Sequence, residues 1–191
     1  MINLKTLGHI NIVVEEINEA TEFYKQLFGA IPFQNFPHFK NEGFAKSAGF
    51  LDNPEEIDVT IRFLKLPTQD NIVIELMEYH NPCGNSIKNI KKVNDRNLVG
   101  HIALKVDNIE EAFEHVKMVQ GTRIINKSPN YKPYKIDSID VSDFHFYDKN
   151  LEEDRDEKKK VCDIIENINF FYFIDKYGIQ WELEEGHSDI G

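Results

Sequence analysis

Two histidines and two glutamates occupy matching positions in a sequence that repeats itself. His9 and His101 each precede a run of alternating apolar residues, and Glu75 and Glu182 each lie between apolar neighbours in a second pair of matching segments. A buried carboxylate without a partner is costly, so a cation is the simplest explanation for the two glutamates. Two imidazole nitrogens and two carboxylate oxygens suit a divalent ion and leave positions open for water or substrate. We therefore expect these four residues to bind one Ni, Co, Zn, Mn or Fe ion.

The repeat is clearest at the start of each half of the chain. Residues 7–30 align without gaps with residues 99–122, at an offset of 92 residues. The identical pairs are Gly8/Gly100, His9/His101, Ile10/Ile102, Val14/Val106, Ile17/Ile109, Glu19/Glu111, Ala20/Ala112, Glu22/Glu114, Lys25/Lys117 and Gly29/Gly121. So many gapless identities indicate two copies of one structural module.

A second pair of segments closes each copy. Residues 72–80 match residues 179–187, at an offset of 107 residues. The identical pairs are Ile72/Ile179, Glu75/Glu182, Leu76/Leu183, Glu78/Glu185 and His80/His187. The larger offset requires a net insertion in the second copy, and the charge-dense residues 148–163 are the natural place for it. Their composition predicts a solvated, peripheral loop.

The elements between these segments follow from hydrophobic periodicity. Alternating apolar residues after each histidine predict a strand with the imidazole on its opposite face, and a helical stripe follows each strand. Further strands are predicted at residues 33–36, 43–50, 58–66, 123–125, 140–147, 169–174 and 179–184, the last two joined in a hairpin by a turn with Gly178. The fold class is thus α+β, with two βαβββ modules.

These predictions divide one domain, residues 1–191, into two halves. The first module spans residues 4–80 and the second spans residues 98–187. Residues that interrupt regular secondary structure, beginning with Asn81-Pro82, predict a linker over residues 81–97. If the copies pair by pseudo-two-fold symmetry, their first and last strands line a shared concave surface on which the four expected ligands converge.

Composition limits the partners. The net charge of −11 opposes binding to nucleic acid, and no apolar run is long enough for a signal peptide or a membrane span. Cys83 and Cys162 are too few and too far apart for a disulfide framework. We expect a cytoplasmic protein that acts on a small molecule, and a homodimer is considered.

Four segments carry a family resemblance: LGHINIVV, IVIELMEY, VGHIALKVDNIEEAFEHV and FYFIDKYGIQWELEEG. They resemble the vicinal oxygen chelate superfamily, whose fold is named after glyoxalase, bleomycin resistance protein and dihydroxybiphenyl dioxygenase. The ligand order His, Glu, His, Glu is similar to that of bacterial glyoxalase I, whereas methylmalonyl-CoA epimerases usually carry Gln at the position of Glu75. Glyoxalase I generally has Arg at the position of Val13, so the resemblance does not extend to recognition of a glutathione conjugate.

The resemblance implies a metal-dependent lyase or isomerase. Its substrate would be an α-hydroxy carbonyl, thiohemiacetal or thioester, processed through a metal-stabilised enediolate with Glu182 as the base and Glu75 as its counterpart. One alternative is an Fe(II) extradiol-type dioxygenase, which would use only His9, His101 and Glu182. Another is a non-catalytic small-molecule binder. The remaining histidines have weaker cases as ligands, and solvent-facing or capping roles are expected for His80 and His187.

Overall fold

The computed structural model describes residues 7–85 and 99–186. The chain divides into two compact units, Met1–Ile87 and Lys88–Gly191, each of which combines a β-sheet with helices. The α+β class expected from the sequence is confirmed. Across the part of the chain that the structure describes, no helix is both long and apolar enough to cross a membrane.

The elements of the first unit are β1 (Ile10–Val13), α1 (Ile17–Phe28), β2 (Ile31–Phe39), α2 (Glu42–Ser47), a 3₁₀ turn (Pro54–Glu56), β3 (Asp58–Lys65) and β4 (Val73–Asn81). The strands form a four-stranded sheet with the order β1-β4-β3-β2. Strands β1 and β4 are parallel, and the other neighbouring pairs are antiparallel.

The predicted amphipathic pattern explains how β1 and α1 pack. Ile12 and Val14 are buried, whereas Asn11 and Val13 are exposed, so β1 has one core face and one open face. The stripe Ile17, Ala20, Tyr24 and Leu27 is buried along α1. The helix ends at Gly29, whose φ of 66° is the left-handed conformation that glycine adopts without strain.

The elements of the second unit are β5 (Ile102–Lys105), α3 (Ile109–Met118), β6 (Arg123–Ile124), β7 (Tyr134–Lys135), α4 (Lys149–Glu153), α5 (Arg155–Ile165), β8 (Asn169–Ile174) and β9 (Gln180–Glu185). Its sheet has the order β5-β9-β8-β6, and β7 also pairs with β8. The predicted hairpin is confirmed as the antiparallel β8/β9 pair, which turns at Gly178.

The same contact fixes the first helix in both units. Glu78 accepts a hydrogen bond from the backbone N–H of Ile17 at 2.9 Å, and Glu185 accepts one from Ile109 at 3.1 Å. A carboxylate at a helix N-terminus satisfies a free N–H group and complements the helix dipole. The repeat-matched glutamates 78 and 185 therefore tie the helix to the last strand of each sheet.

The prediction of a loop at residues 148–163 was wrong, because most of this segment forms α4 and α5. Asp148 and Asp154 accept hydrogen bonds from backbone N–H groups in the first turns of these helices, as N-caps do. Lys158 is almost fully buried, and its Nζ lies 2.7 Å from Glu152 Oε1 and 5.0 Å from the centre of the Phe144 ring. The charge density of the segment predicted exposure to solvent, but the segment is rich in Glu, Lys, Leu and Arg, which are strong helix formers, and both helices have aspartate N-caps.

Two predicted strands were also wrong. Residues 43–50 are mostly helix α2, which Asn41 caps by accepting a hydrogen bond from Phe44 N. Residues 140–147 contain no strand, since Asp140 and Asp143 form a turn and Phe146 N donates to Glu152 instead of to a strand. Local hydrogen bonds to side chains outcompeted the apolar alternation in both segments. Residues 4–6, most of the predicted linker (86–97) and His187 lie outside the described residues.

Candidate metal centre

In the first unit, the open face of the sheet brings His9 and Glu75 together. His9 directly precedes β1, and Glu75 lies in β4, where it is the pairing partner of Asn11. His9 Nε2 is 3.1 Å from Glu75 Oε2. The imidazole is 44% exposed and the carboxylate 13% exposed, so this pair is accessible from solvent through the histidine.

The second unit repeats this arrangement with His101 and Glu182. His101 precedes β5, Glu182 lies in the adjacent β9, and Nε2 is 3.0 Å from Oε2. The imidazole is 38% exposed and the carboxylate 11% exposed. The structure thus places each predicted histidine against the glutamate of its own module, through the same atoms and at nearly the same distance.

Within each unit, the distance between the two donor atoms fits two ligands of a metal ion. Two donors bound to an ion at right angles, each at ~2.1 Å, are separated by about 3.0 Å. The His9–Glu75 and His101–Glu182 atom pairs lie 3.1 Å and 3.0 Å apart. Each unit therefore supplies one nitrogen and one oxygen donor at a separation that two ligands of a divalent ion can have.

The residues around the two pairs are different. Asn11 Nδ2 donates to Glu75 Oε2 at 2.8 Å, whereas the residue that pairs with Glu182 on β5 is Ala103, which has no polar side-chain group. An amide donates this hydrogen bond at every pH, so it fixes the orientation of Glu75. Glu182 receives no equivalent bond from β5.

Each glutamate pairs with an aromatic residue on a neighbouring strand. The pairing partner of Glu75 is Phe63, and that of Glu182 is Tyr172, whose hydroxyl donates a hydrogen bond to the Glu182 carboxylate. Burial first, and then the bond to Glu182 and its negative charge, raise the pKa of the Tyr172 phenol. The Tyr172 ring centre is 5.1 Å from that of His101. Tyr172 was not predicted as a site residue, because only the β8/β9 register places it on the same face as Glu182.

A second cluster of ligand-type side chains lies in the first unit, at His38, Asp58 and His80. One donor atom from each residue can be chosen so that all three atoms are within 4.8 Å of one another. Burial alone raises the pKa of Asp58, but hydrogen bonds and charges from His38 and Lys40 outweigh it and hold the pKa below its usual value. Among the described residues this is the one such group of three. A solvent-facing or capping role was predicted for His80, and its proximity to Asp58 was not predicted.

Comparison with known proteins places the fold. The sequence model of the glyoxalase/bleomycin resistance protein/dioxygenase superfamily matches residues 6–150. A glyoxalase family protein from Bacillus cereus has a TM-score of 0.63 at 16% identity, with 97% of each chain covered. A glyoxylase/bleomycin resistance protein/dioxygenase domain from Frankia has a TM-score of 0.53 at 10% identity, covering 97% of this chain and 100% of that domain.

A third similar structure is the genomically encoded fosfomycin resistance protein FosX from Listeria monocytogenes, in its hexagonal form. Its TM-score is 0.50 at 15% identity, with 96% of this chain and 94% of that chain covered. No curated protein matches the sequence significantly. The family match extends over three quarters of the sequence, and the similar structures extend over nearly all of it. The chain therefore belongs to the glyoxalase/bleomycin resistance protein/dioxygenase superfamily.

Proposed function

We propose that the protein is a divalent-metal-dependent lyase or isomerase of the glyoxalase type. The modules at residues 4–80 and 98–187 act as halves of one domain, and one ion is held by His9, Glu75, His101 and Glu182. The observation that carries this proposal is the repeated pair of Nε2 and Oε2 atoms, 3.1 Å apart in one unit and 3.0 Å apart in the other. Membership of a superfamily that includes metal-dependent enzymes supports it.

The substrate we propose is a small molecule with two oxygens on neighbouring carbons, such as an α-hydroxy carbonyl. A bound ion supplies Lewis-acid polarisation of such an oxygen pair. The acidic protein has few guanidinium groups with which to grip a large anionic substrate, since it contains four arginines. Arg62 already donates hydrogen bonds from its guanidinium nitrogens to Asn18, Thr21 and Asn35. The exposed residue at the position of the expected glutathione-binding Arg is Val13. These features favour a small substrate over a glutathione conjugate.

The surroundings of the two glutamates suggest different roles. Glu75 is held by the Asn11 amide at 2.8 Å, which favours a fixed ligand. Glu182 has Ala103 beside it on β5 and lacks this amide contact, and we assign to its carboxylate the removal of the proton from the carbon next to the carbonyl. The Tyr172 hydroxyl donates to Glu182 and would orient the carboxylate for this transfer. Glu182 is therefore the proposed base, and Glu75 is chiefly a ligand.

The test compares the two glutamates as matched variants. Metal content is measured by elemental analysis of untagged protein, and proton abstraction by deuterium exchange into small α-hydroxy carbonyls under several metals. Glu182→Gln should retain appreciable metal and slow exchange by a factor on the order of 10²–10⁴, the usual contribution of a positioned base. Glu75→Gln should chiefly weaken metal binding. The His101→Ala variant should lose or greatly weaken binding of the ion.

Three outcomes would contradict the proposal. Unchanged metal content in His101→Ala would remove the ligand assignment. Oxygen uptake with a catechol and Fe(II), almost unaffected by Glu75→Gln, would indicate the dioxygenase alternative. Tight binding of a small molecule with neither exchange nor oxygen uptake would indicate a non-catalytic binder.

A further inference from the structure

The His38, Asp58 and His80 cluster is separate from the proposed catalytic ion. His80 follows Glu75 by five residues on β4, which corresponds to about 17 Å along an extended strand. Successive side chains of a strand point to opposite faces, so the odd separation places His80 on the face opposite Glu75. That face is the one on which Glu78 contacts the start of α1. The two groups of donors therefore cannot share one ion.

Each member of the cluster comes from a different strand. His38 lies near the end of β2, Asp58 begins β3, and His80 lies near the end of β4, in the sheet order β4-β3-β2. His38 Nδ1 is 3.1 Å from Asp58 Oδ1, and the rings of His38 and His80 are stacked with their centres 4.5 Å apart. A ligand bound here would connect three neighbouring strands at one end of the sheet.

The backbone at His38 aims its side chain into this cluster. The β2/β3 register shifts between Phe36 and Phe39, and within this irregularity His38 has a φ of 48°. A residue other than glycine rarely adopts positive φ, and β-bulges commonly redirect a side chain. The His38 N–H donates to Thr60 Oγ1 at 3.2 Å, which secures the bend. The chain thus keeps an unfavourable conformation at the residue whose imidazole meets Asp58.

His80 has the surroundings of a metal-binding imidazole. Its Nδ1 is 3.4 Å from Glu78 Oε1, and its Nε2 is 2.7 Å from Thr60 Oγ1. Histidine ligands usually give their second ring N–H to a carboxylate, which leaves the other nitrogen unprotonated for the ion. Glu78 can accept from Nδ1 in this way, and binding of an ion at Nε2 would replace the hydrogen bond to Thr60. Lys40, 3.5 Å from Asp58, is 60% exposed and can move into solvent.

We propose that His38, Asp58 and His80 form a second divalent-metal site that binds Zn²⁺ or a similar first-row transition ion. Two imidazoles and one carboxylate, with positions left for water, are a donor set that Zn²⁺ accepts. The donor atoms lie within 4.8 Å of one another and must approach to roughly 3.4 Å around a tetrahedral ion. The His38 side chain is 67% exposed and free to make this movement. The bound ion links β2, β3 and β4.

The test counts ions in chelator-treated full-length protein. Zn²⁺ is titrated by calorimetry and Co²⁺ by its visible absorption, and we expect two ions per chain in the unmodified protein. His38→Asn removes the imidazole but keeps a side chain that tolerates positive φ. The substitution should abolish binding of one ion, or weaken that binding at least ~10-fold, because even the loss of a residue that hydrogen-bonds to a metal ligand weakens metal binding to this extent. His80→Gln should do the same.

Two further variants separate this site from the proposed catalytic one. His101→Ala should affect the other ion and leave the ion that depends on His38. The control His115→Ala alters an exposed histidine of α3 and should change neither. Circular dichroism of every variant checks that the fold is retained. The second site is wrong if folded His38→Asn and His80→Gln bind Zn²⁺ and Co²⁺ as the unmodified protein does, or if His115→Ala produces the same loss.

Discussion

The end of β9, the strand that carries Glu182, depends on Gly186. This residue has a φ of +87°, and a Cβ built on it would lie 2.0 Å from the backbone oxygen of Asn167. Gly178, in the turn before the same strand, has a φ of +85°, but among the described residues nothing lies within 4 Å of its Cβ position. The substitutions Gly186→Ala and Gly178→Ala therefore share a backbone cost and differ in the steric overlap.

The magnitudes follow from these two terms. An alanine at positive φ costs about 1–2 kcal/mol, which applies to both variants. The overlap at Gly186 needs a backbone shift of at least about 1.4 Å, from 2.0 Å to an ordinary contact of 3.4 Å, and forcing extra atoms into a packed region costs ~1–3 kcal/mol. We expect Gly178→Ala to lose about 1–2 kcal/mol of unfolding free energy, and Gly186→Ala about 2–5 kcal/mol.

Urea unfolding provides the assay, because the chain has one tryptophan. Trp181 lies in β9 and is fully buried, so its fluorescence reports directly on this strand. The midpoint for Gly186→Ala should lie clearly below that for Gly178→Ala, with little change in the slope of the transition. Equal midpoints for the two variants would refute the close approach of Gly186 to Asn167.

Three further variants test other contacts. Glu185→Ala removes the acceptor for the first N–H of α3 and should lower the unfolding free energy by about 1 kcal/mol in the same assay. An unchanged unfolding free energy would show that this cap does not stabilise the helix. Lys158 lowers the pKa of Glu152 in the folded protein. The contact between the two residues therefore stabilises the fold above about pH 4.3, and this stabilisation is lost as the pH falls through the lowered pKa of Glu152. Glu152→Gln should therefore flatten the acid-unfolding profile below that pH, and an unchanged profile would contradict the contact. Tyr172→Phe removes the hydrogen bond to Glu182 and should slow deuterium exchange roughly 10-fold at unchanged metal content; unchanged exchange would exclude a role for the phenol.

Residues whose role depends on local periodicity were predictable from the sequence. The alternation after His9 and His101 is a property of a few consecutive residues, and it correctly placed the imidazoles on the face opposite the core. The hairpin at Gly178 was predictable for the same reason, since the turn and its two strands are adjacent in the chain. The failures at residues 43–50, 140–147 and 148–163 have the opposite cause. There, capping side chains supplied hydrogen bonds that a hydrophobic pattern does not reveal.

The sequence by itself determined the class of the fold, the internal repeat and the matched His and Glu residues, because a repeat marks equivalent positions regardless of how the chain folds. The tertiary structure decided which side chains meet across strands. His38 and His80 are far apart in the sequence, and only the strand register and the bend at His38 place both beside Asp58. In the same way, the pairing of β8 with β9 sets Tyr172 against Glu182. Strand register depends on packing and hydrogen bonds summed over whole sheets, which no local sequence pattern contains.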